Sequence, residues 1–330
     1  MPVEHYDAII IGAGQAGVPL GPELAGSGRR VLTIERKYPG GTCINEGCTP
    51  TKTMVASGRI AYLARRGAEY GVNVGSVSID MHKVRQRKRK MVRSFRASTE
   101  RRIVRVAGSE LLYGEAFFTS PKTVEVKPKE GGPVRELSAD LFFINTGARP
   151  ALPALPGIEG VTAYNSTSIM ELDEVPEHLL VLGGGYIGLE FAQLFRRLGA
   201  EVTVVQRSGQ VLGREDDDVA EAVTAILREE GVDILLNTSS QSVSQEEDGT
   251  INLRVRTASG EQTLSGSHLL AAVGRAPNTE DLNLAAAGVA VGRGGFITVN
   301  ERLETNVPGI YALGDVKGGP AFTHISYDDF

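Results

Sequence analysis

Tyr6-Asp7-Ala8-Ile9-Ile10-Ile11-Gly12-Ala13-Gly14-Gln15-Ala16-Gly17 decides the fold of this chain. Tyr6 to Ile11 is short, apolar and rich in isoleucine, as expected of a strand buried in a parallel sheet. The Gly12-x-Gly14-x-x-Gly17 run follows at once, and a helical pattern continues to about Ser27. A second strand, Arg30 to Glu35, ends in an acid. The glycines permit a tight turn and let a pyrophosphate approach a helix N-terminus, and Glu35 is placed to accept hydrogen bonds from a ribose. The glycine spacing alone is weak, but with both strands, the helix and the spaced acid it becomes specific.

The same unit recurs. Leu179 to Leu182 leads into Gly183-Gly184-Gly185-Tyr186-Ile187-Gly188, then a helix to about Leu198 and a strand from Glu201 to Val205. Glu35 follows Gly12 by 23 positions, and Gln206 follows Gly183 by the same interval. The acid slot of the second unit is therefore neutral, with Arg207 beside it and Arg214 further along. A missing carboxylate and a neighbouring guanidinium suit the 2′-phosphate of NADPH better than the free ribose hydroxyl of NADH.

A length of 330 residues predicts about two domains, and 41% hydrophobic residues with 40 glycines fit an α/β protein with many tight turns. A net charge of −5 gives no global reason to expect nucleic acid or an anionic membrane. Met1 to Asp7 has no basic region, and Ala8 to Ile11 is too short for a signal peptide or a membrane span. A cytoplasmic location is expected. Met81 to Arg105 is rich in Lys and Arg, with a partial apolar stripe of Val84, Met91, Val92 and Phe95. It is read as a solvated helix packing its inner face on the domain. Glu110 to Ile144 reads as a small antiparallel β-meander within the first domain, and the proline-rich run from Pro150 to Pro156 as the domain boundary. A strand exit at Gly274-Arg275-Ala276-Pro277-Asn278 returns the chain to the first domain. Ile310 to Ala312 then reads as a strand leading to Gly314-Asp315.

Gly40-Gly41-Thr42-Cys43-Ile44-Asn45-Glu46-Gly47-Cys48-Thr49-Pro50-Thr51-Lys52-Thr53 holds both cysteines of the protein. Pro50 suits the first helical position, which places Cys48 just before a helix start, where unpaired N–H groups favour a thiolate. Cys43 is close enough in the chain to pair with it. A zinc site wants a second cysteine pair, which is lacking, and a structural disulfide does not suit a chain without an export signal. A reversible two-electron dithiol is the favoured reading.

That segment resembles the redox segment of the flavin-dependent pyridine nucleotide–disulfide oxidoreductases, the group of dihydrolipoamide dehydrogenase, glutathione reductase and mercuric reductase. The resemblance extends in order through both glycine-rich units, Thr146-Gly147, Gly274-Arg275-x-Pro277-Asn278 and Gly314-Asp315. It implies two Rossmann-like, glutathione-reductase-type domains. Residues 1–150 and 278–330 would bind FAD, and residues 151–277 would bind NADP or NAD. Glu35 would hold the adenosine ribose and Asp315 the ribityl and pyrophosphate portion, with Gly41, Thr42, Thr146, Gly147, Gly185 and Gly274 completing the binding set. Cys48 would face the flavin and Cys43 would exchange with substrate. Lys52 would sit near flavin N5, paired with Glu190, and Tyr186 would cover the nicotinamide pocket. No resident metal is implied.

The ending from Gly314 to Phe330 looks most like the mercuric-reductase-like branch. The chain departs from the family in carrying no His-Pro segment and no C-terminal interface domain. It is accordingly expected to be a truncated product with weak disulfide turnover, a monomer where the full-length protein is a homodimer. The expected function is electron transfer from NAD(P)H through FAD and Cys43–Cys48 to a small-molecule disulfide or a metal ion. A dihydrolipoamide dehydrogenase-type enzyme, a flavin reductase and a non-enzymatic dinucleotide-binding redox sensor are the alternatives.

Overall fold

The computed structural model describes residues 3–330. The chain divides into two compact units, one of residues 1–49, 91–149 and 275–330, the other of residues 50–90 and 150–274.

The first unit is built on the quoted stretch. Strand β1 (Glu4–Ile11) leads to helix α1 (Gly17–Gly26) and strand β2 (Val31–Glu35). Short helix α2 (Gly41–Asn45), helix α3 (Cys48–Arg65) and the basic helix α4 (Met81–Ile103) follow in sequence. Then come strands β3 (Ser109–Ser120), β4 (Thr123–Pro128) and β5 (Arg135–Ile144). The parallel sheet runs β3, β2, β1, β5 and the strand Ile310–Ala312. Successive β1 residues fall into different cores: Ile9 and Ile11 pack with Phe142 and Ile144, while Ala8 and Ile10 pack with Leu20 and Val31. A strand covered on both faces has no polar side to present, which is why it reads as an unbroken apolar run.

The β-meander is present, but it is fused to this sheet. The first half of β3 pairs in parallel with β2 and its second half pairs antiparallel with β4, which in turn pairs with the start of β5. The two long strands thus serve the sheet at one end and the meander at the other.

The second unit repeats the theme. Its parallel sheet runs Asp233–Leu235, Glu201–Val205, His178–Leu182, His268–Ala271 and Ala163–Tyr164. The helix Tyr186–Leu198 packs Leu189, Phe191, Ala192 and Phe195 into its core. Three antiparallel strands, Ser239–Gln245, Ile251–Thr257 and Gly260–Gly266, form a separate sheet. Residues 50–90, read from sequence as part of the first domain, cluster with this unit. The reason is hydrophobic: Met54 and Met81 are buried in the core that holds Phe191 and Phe195.

The basic stretch is one helix with Met81, Val92 and Ile103 buried. Lys88 departs from the solvated reading. It is 3% exposed, donates to the Met170 carbonyl at 2.8 Å and pairs with Glu171. Burial lowers its pKa, and these two acceptors offset the desolvation of the ammonium. Among the described residues, no helix is long and apolar enough to cross a membrane, and no cluster of three or more His, Cys, Asp or Glu side chains is placed to hold a metal ion.

Candidate active site

In the first unit, three strand ends lie in register. Ile11 pairs with Ile144, and Ile144 with Ala312, so Gly12, Asn145 and Gly314 gather at the C-terminal edge of the sheet. Ligands of open parallel sheets bind at such edges. Asn145 was missed in the sequence reading, yet its amide is central here. Nδ2 donates to the Gly12 carbonyl at 3.1 Å, and a Cβ on Gly14, Gly17 or Gly314 would come within 3.2 Å of its side chain.

Glu35 is buried behind the turn. One carboxylate oxygen accepts the Ala13 N–H at 3.0 Å, and the other accepts from Lys37 N at 2.8 Å and Tyr38 N at 3.2 Å. A carboxylate has about four lone-pair positions, so one acceptor position remains. The turn is also bonded to the cysteine segment. Gly40 N–H donates to the Ala13 carbonyl at 2.7 Å, and Gln15 Nε2 to the Gly40 carbonyl at 2.9 Å. A Cβ on Gly41 would lie 2.9 Å from the Gly14 Cα, so the two backbones meet directly. Only glycine permits that approach.

Thr42 and Cys43 lie on α2, and the Thr42 carbonyl accepts from Glu46 N–H at 2.8 Å. Cys48 opens α3, so Pro50 is its third residue rather than its first. The shift is tolerated because the first turn of a helix has no N–H acceptor to lose. Cys43 is half-buried, Cys48 is exposed, and both are thiols. A hydrogen bond to Cys48, then burial, pushes the Cys43 thiol well up, while a bond from Thr323 acts the other way. Thr323 Oγ1 also lies 3.3 Å from Cys48 Sγ.

Thr146 and Gly147, just past β5, meet the returning chain. Thr146 Oγ1 donates to the Asn278 carbonyl at 2.8 Å, Asn278 Nδ2 to the Thr146 carbonyl at 2.8 Å, and Asn278 N–H to the Gly147 carbonyl at 3.0 Å. Arg275 bonds the Ala148 carbonyl and faces Asp315 at 3.6 Å. Burial lowers the Arg275 pKa, opposed by the charges of Asp315, Glu46 and Cys48. Burial raises that of Asp315. Gly314 N–H donates to Asp329 at 2.6 Å.

In the second unit the turn from Gly183 to Gly188 has the same construction. Gln206 Oε1 accepts the Gly184 N–H at 2.9 Å, as Glu35 accepts that of Ala13, and its Nε2 donates to the Gln210 carbonyl at 3.1 Å. Arg207 follows as an exposed side chain. Gly185 precedes the helix Tyr186–Leu198 with open space where its Cβ would be, and so does Gly274 after the strand His268–Ala271. Tyr186 and Glu190 are four residues apart and share a helix face. The Tyr186 hydroxyl bonds Glu215, and Lys52 pairs with Glu190.

The sequence profile described as pyridine nucleotide-disulphide oxidoreductase matches residues 6–329. The chain belongs to this family, whose members use FAD and NAD(P)H. It is 36% identical over 321 residues to the mercuric reductase of Staphylococcus aureus, covering 97% of this chain and 57% of that protein. It is 38% identical over 331 residues to the probable pyridine nucleotide-disulfide oxidoreductase RclA of Escherichia coli strain K12, covering 99% and 70%. A solved Cu(II) complex of the HOCl-induced flavoprotein disulfide reductase RclA from Escherichia coli superposes with a TM-score of 0.86 at 37% identity, covering 99% of this chain and 69% of that one. The two-domain α/β fold expected from the sequence is that of these flavoproteins. The chain spans little more than half the length of the mercuric reductase.

Proposed function

We propose that this chain carries electrons from NAD(P)H through FAD to Cys43 and Cys48, and from them to a small-molecule disulfide or a metal ion. One observation carries the reading. The two thiols are hydrogen-bonded to each other, and the backbone that bears them is bonded to the first glycine-rich turn. The residues present suit the adenosine and pyrophosphate end of FAD: a turn with no Cβ in the path of a phosphate, and Glu35 with an acceptor to spare for a ribose hydroxyl. When bound, FAD supplies the two-electron relay between nicotinamide nucleotide and sulfur.

The residues then divide the work. In this reading, the unit of residues 1–49, 91–149 and 275–330 holds FAD, the unit of residues 50–90 and 150–274 holds the nucleotide, and Asp315 binds the ribityl and pyrophosphate portion. Gln206 and Arg207 favour NADPH. Glu190 orients the Lys52 ammonium, and Tyr186, tethered to Glu215, covers the nicotinamide pocket. Cys48 faces the flavin. Cys43 exchanges with the acceptor: as the sulfur–sulfur bond forms, the Cys48 thiolate and Cys43 thiol together give up two electrons and one proton. A disulfide acceptor takes the electrons and is released as thiols protonated by the Cys43 proton and by solvent, whereas a metal ion takes only the electrons and the proton passes to solvent. The cytoplasm, where such a pair is kept cycling, is the proposed location.

The test is an anaerobic titration with NADPH and with NADH, following flavin absorbance and the long-wavelength thiolate–flavin band. The band is expected to grow with two electrons added, at lower concentration of NADPH than NADH, and to vanish in C48S. A colourless preparation, or a C48S protein with an undiminished band, sinks the proposal.

A further inference from the structure

One side chain at the sulfurs has no role in the reading above. Thr323 opens the short helix Thr323–Asp328, and its Oγ1 lies 3.3 Å from Cys48 Sγ while also bonding Cys43. Its position is held from the opposite end of the helix. Asp329 accepts the Gly314 N–H at 2.6 Å and faces Lys317 Nζ at 3.3 Å. Ser326 is buried against Gly314, where a Cβ would come 2.9 Å from its Oγ. A half-buried hydroxyl is thereby placed at two sulfurs although it lies 275 residues beyond Cys48 in sequence.

We propose that Thr323 is a catalytic residue of the dithiol, its hydroxyl donating to the thiolate of the reduced pair and holding the negative charge on Cys48. This rests on the redox reading of the pair. A thiolate has no proton to give, so between it and a hydroxyl the hydroxyl must donate. Threonine has one such proton, so what it gives to Cys48 it withholds from Cys43. The other groups around the pair agree with that choice. The Cys43 thiol is itself hydrogen-bonded to Cys48, and the buried Arg275 guanidinium, on which Asp315 and Glu46 also act, lies within electrostatic reach of Cys48 and favours its thiolate. With the charge fixed on one sulfur, the other remains the protonated partner until exchange begins. A hydrogen bond to a charged acceptor is the strong kind, and its loss raises the acceptor's pKa.

The test is alkylation of the reduced chain by iodoacetamide from pH 5 to 10, with each cysteine read separately by peptide mass spectrometry. In T323V the Cys48 curve is expected to move up by about one pH unit, so that below the pKa its alkylation slows about tenfold. T323S, which keeps the hydroxyl, is expected to follow the wild type. A T323V curve that overlays the wild type overturns the proposal, as does a T323S curve that moves with T323V. Should T323V fail to fold, T323A removes the same hydroxyl without bulk and is read the same way. Arg275, Glu46, Asp315, Cys43 and, four positions along α3, Lys52 are unchanged in every variant, so the shift isolates the hydroxyl. The underlying redox reading is tested apart from this by counting thiols before and after dithiothreitol. Two reactive thiols in the oxidised protein refute the pair whatever Thr323 does to the curves.

Discussion

Gly188→Ala probes the second glycine-rich turn without touching a charge. An added Cβ would lie 2.0 Å from the Gly183 carbonyl oxygen, against a limit of 3.0 Å that real Cβ atoms essentially never cross. The turn and the helix must therefore part by about 1 Å. Sliding sideways is blocked, because the Ala272 Cβ already stands 3.4 Å away. Backing the helix off is resisted by Leu189, Phe191, Ala192 and Phe195, which are buried in the core. Overpacking of this kind costs about 1–3 kcal/mol, which in a unit of this size lowers Tm by about 2–12 °C. The same movement carries the helix N-terminus away from a bound pyrophosphate, so NADPH affinity is expected to fall as well. Differential scanning calorimetry with and without NADPH reads both effects. The flavin-to-protein ratio should stay at the wild-type value, because the change lies in the second unit. A G188A protein that melts within about 1 °C of wild type and binds NADPH undiminished would show that the close approach is not what excludes a side chain here.

Glu35→Ala removes the acceptor of three backbone N–H groups in a buried place. A loss of about 3 kcal/mol in urea unfolding and a drop in FAD content on purification are expected, and E35A with wild-type stability and full FAD loading would contradict the assignment. Acid sensitivity has a sign that can be worked out. Glu280 is held down to about 2 by its hydrogen bonds from Arg149 and from backbone N–H groups, and Glu4 is lowered by Arg30 and then Arg135. Both folded values lie below the unfolded one, so their contribution is fully present above about pH 4.5 and is lost as pH falls through the folded values. Melting curves of E280Q should thus fall less steeply between pH 5 and 3 than those of the wild type, and parallel slopes would count against a contribution from Glu280.

Both glycine-rich turns could be read from sequence because their glycines answer to the backbone nearby, within the same thirty residues or so. The cysteine segment was legible for a similar reason, since Gly41 and the sulfurs act through one short piece of chain. Asn145 was not. It is a single polar residue at the end of an apolar strand, and no local periodicity marks it. Its importance appears only when three strand ends come into register. Thr323 is further still from any pattern, being brought to Cys48 by the docking of a terminal helix on the Gly314 turn. The division of the chain shows the same limit. Pro50 to Lys90 reads as helix and extended chain in either partition, and only the burial of Met54 and Met81 says which core it joins. Lys88 reads as a solvated cation because composition cannot see that the Met170 carbonyl and Glu171 wait on its inner side.

The paired slots of Glu35 and Gln206 separate two roles that a sequence motif merges. Each side-chain oxygen accepts the N–H of the second residue in its glycine-rich turn, at 3.0 Å from Ala13 and 2.9 Å from Gly184. Closing the turn therefore requires an acceptor, and carboxylate and amide serve equally. The charge is then free to vary with the ligand. A carboxylate accepts from a ribose hydroxyl and repels a phosphate, whereas the amide does not repel and gives its two Nε2 donors to the Gln210 carbonyl and the Ser208 hydroxyl. Replacing Gln206 with Glu would keep the acceptor for the Gly184 N–H but lose the donor to the Gln210 carbonyl, so a shift of nucleotide preference at this position also asks the Ser208–Gln210 segment to readjust.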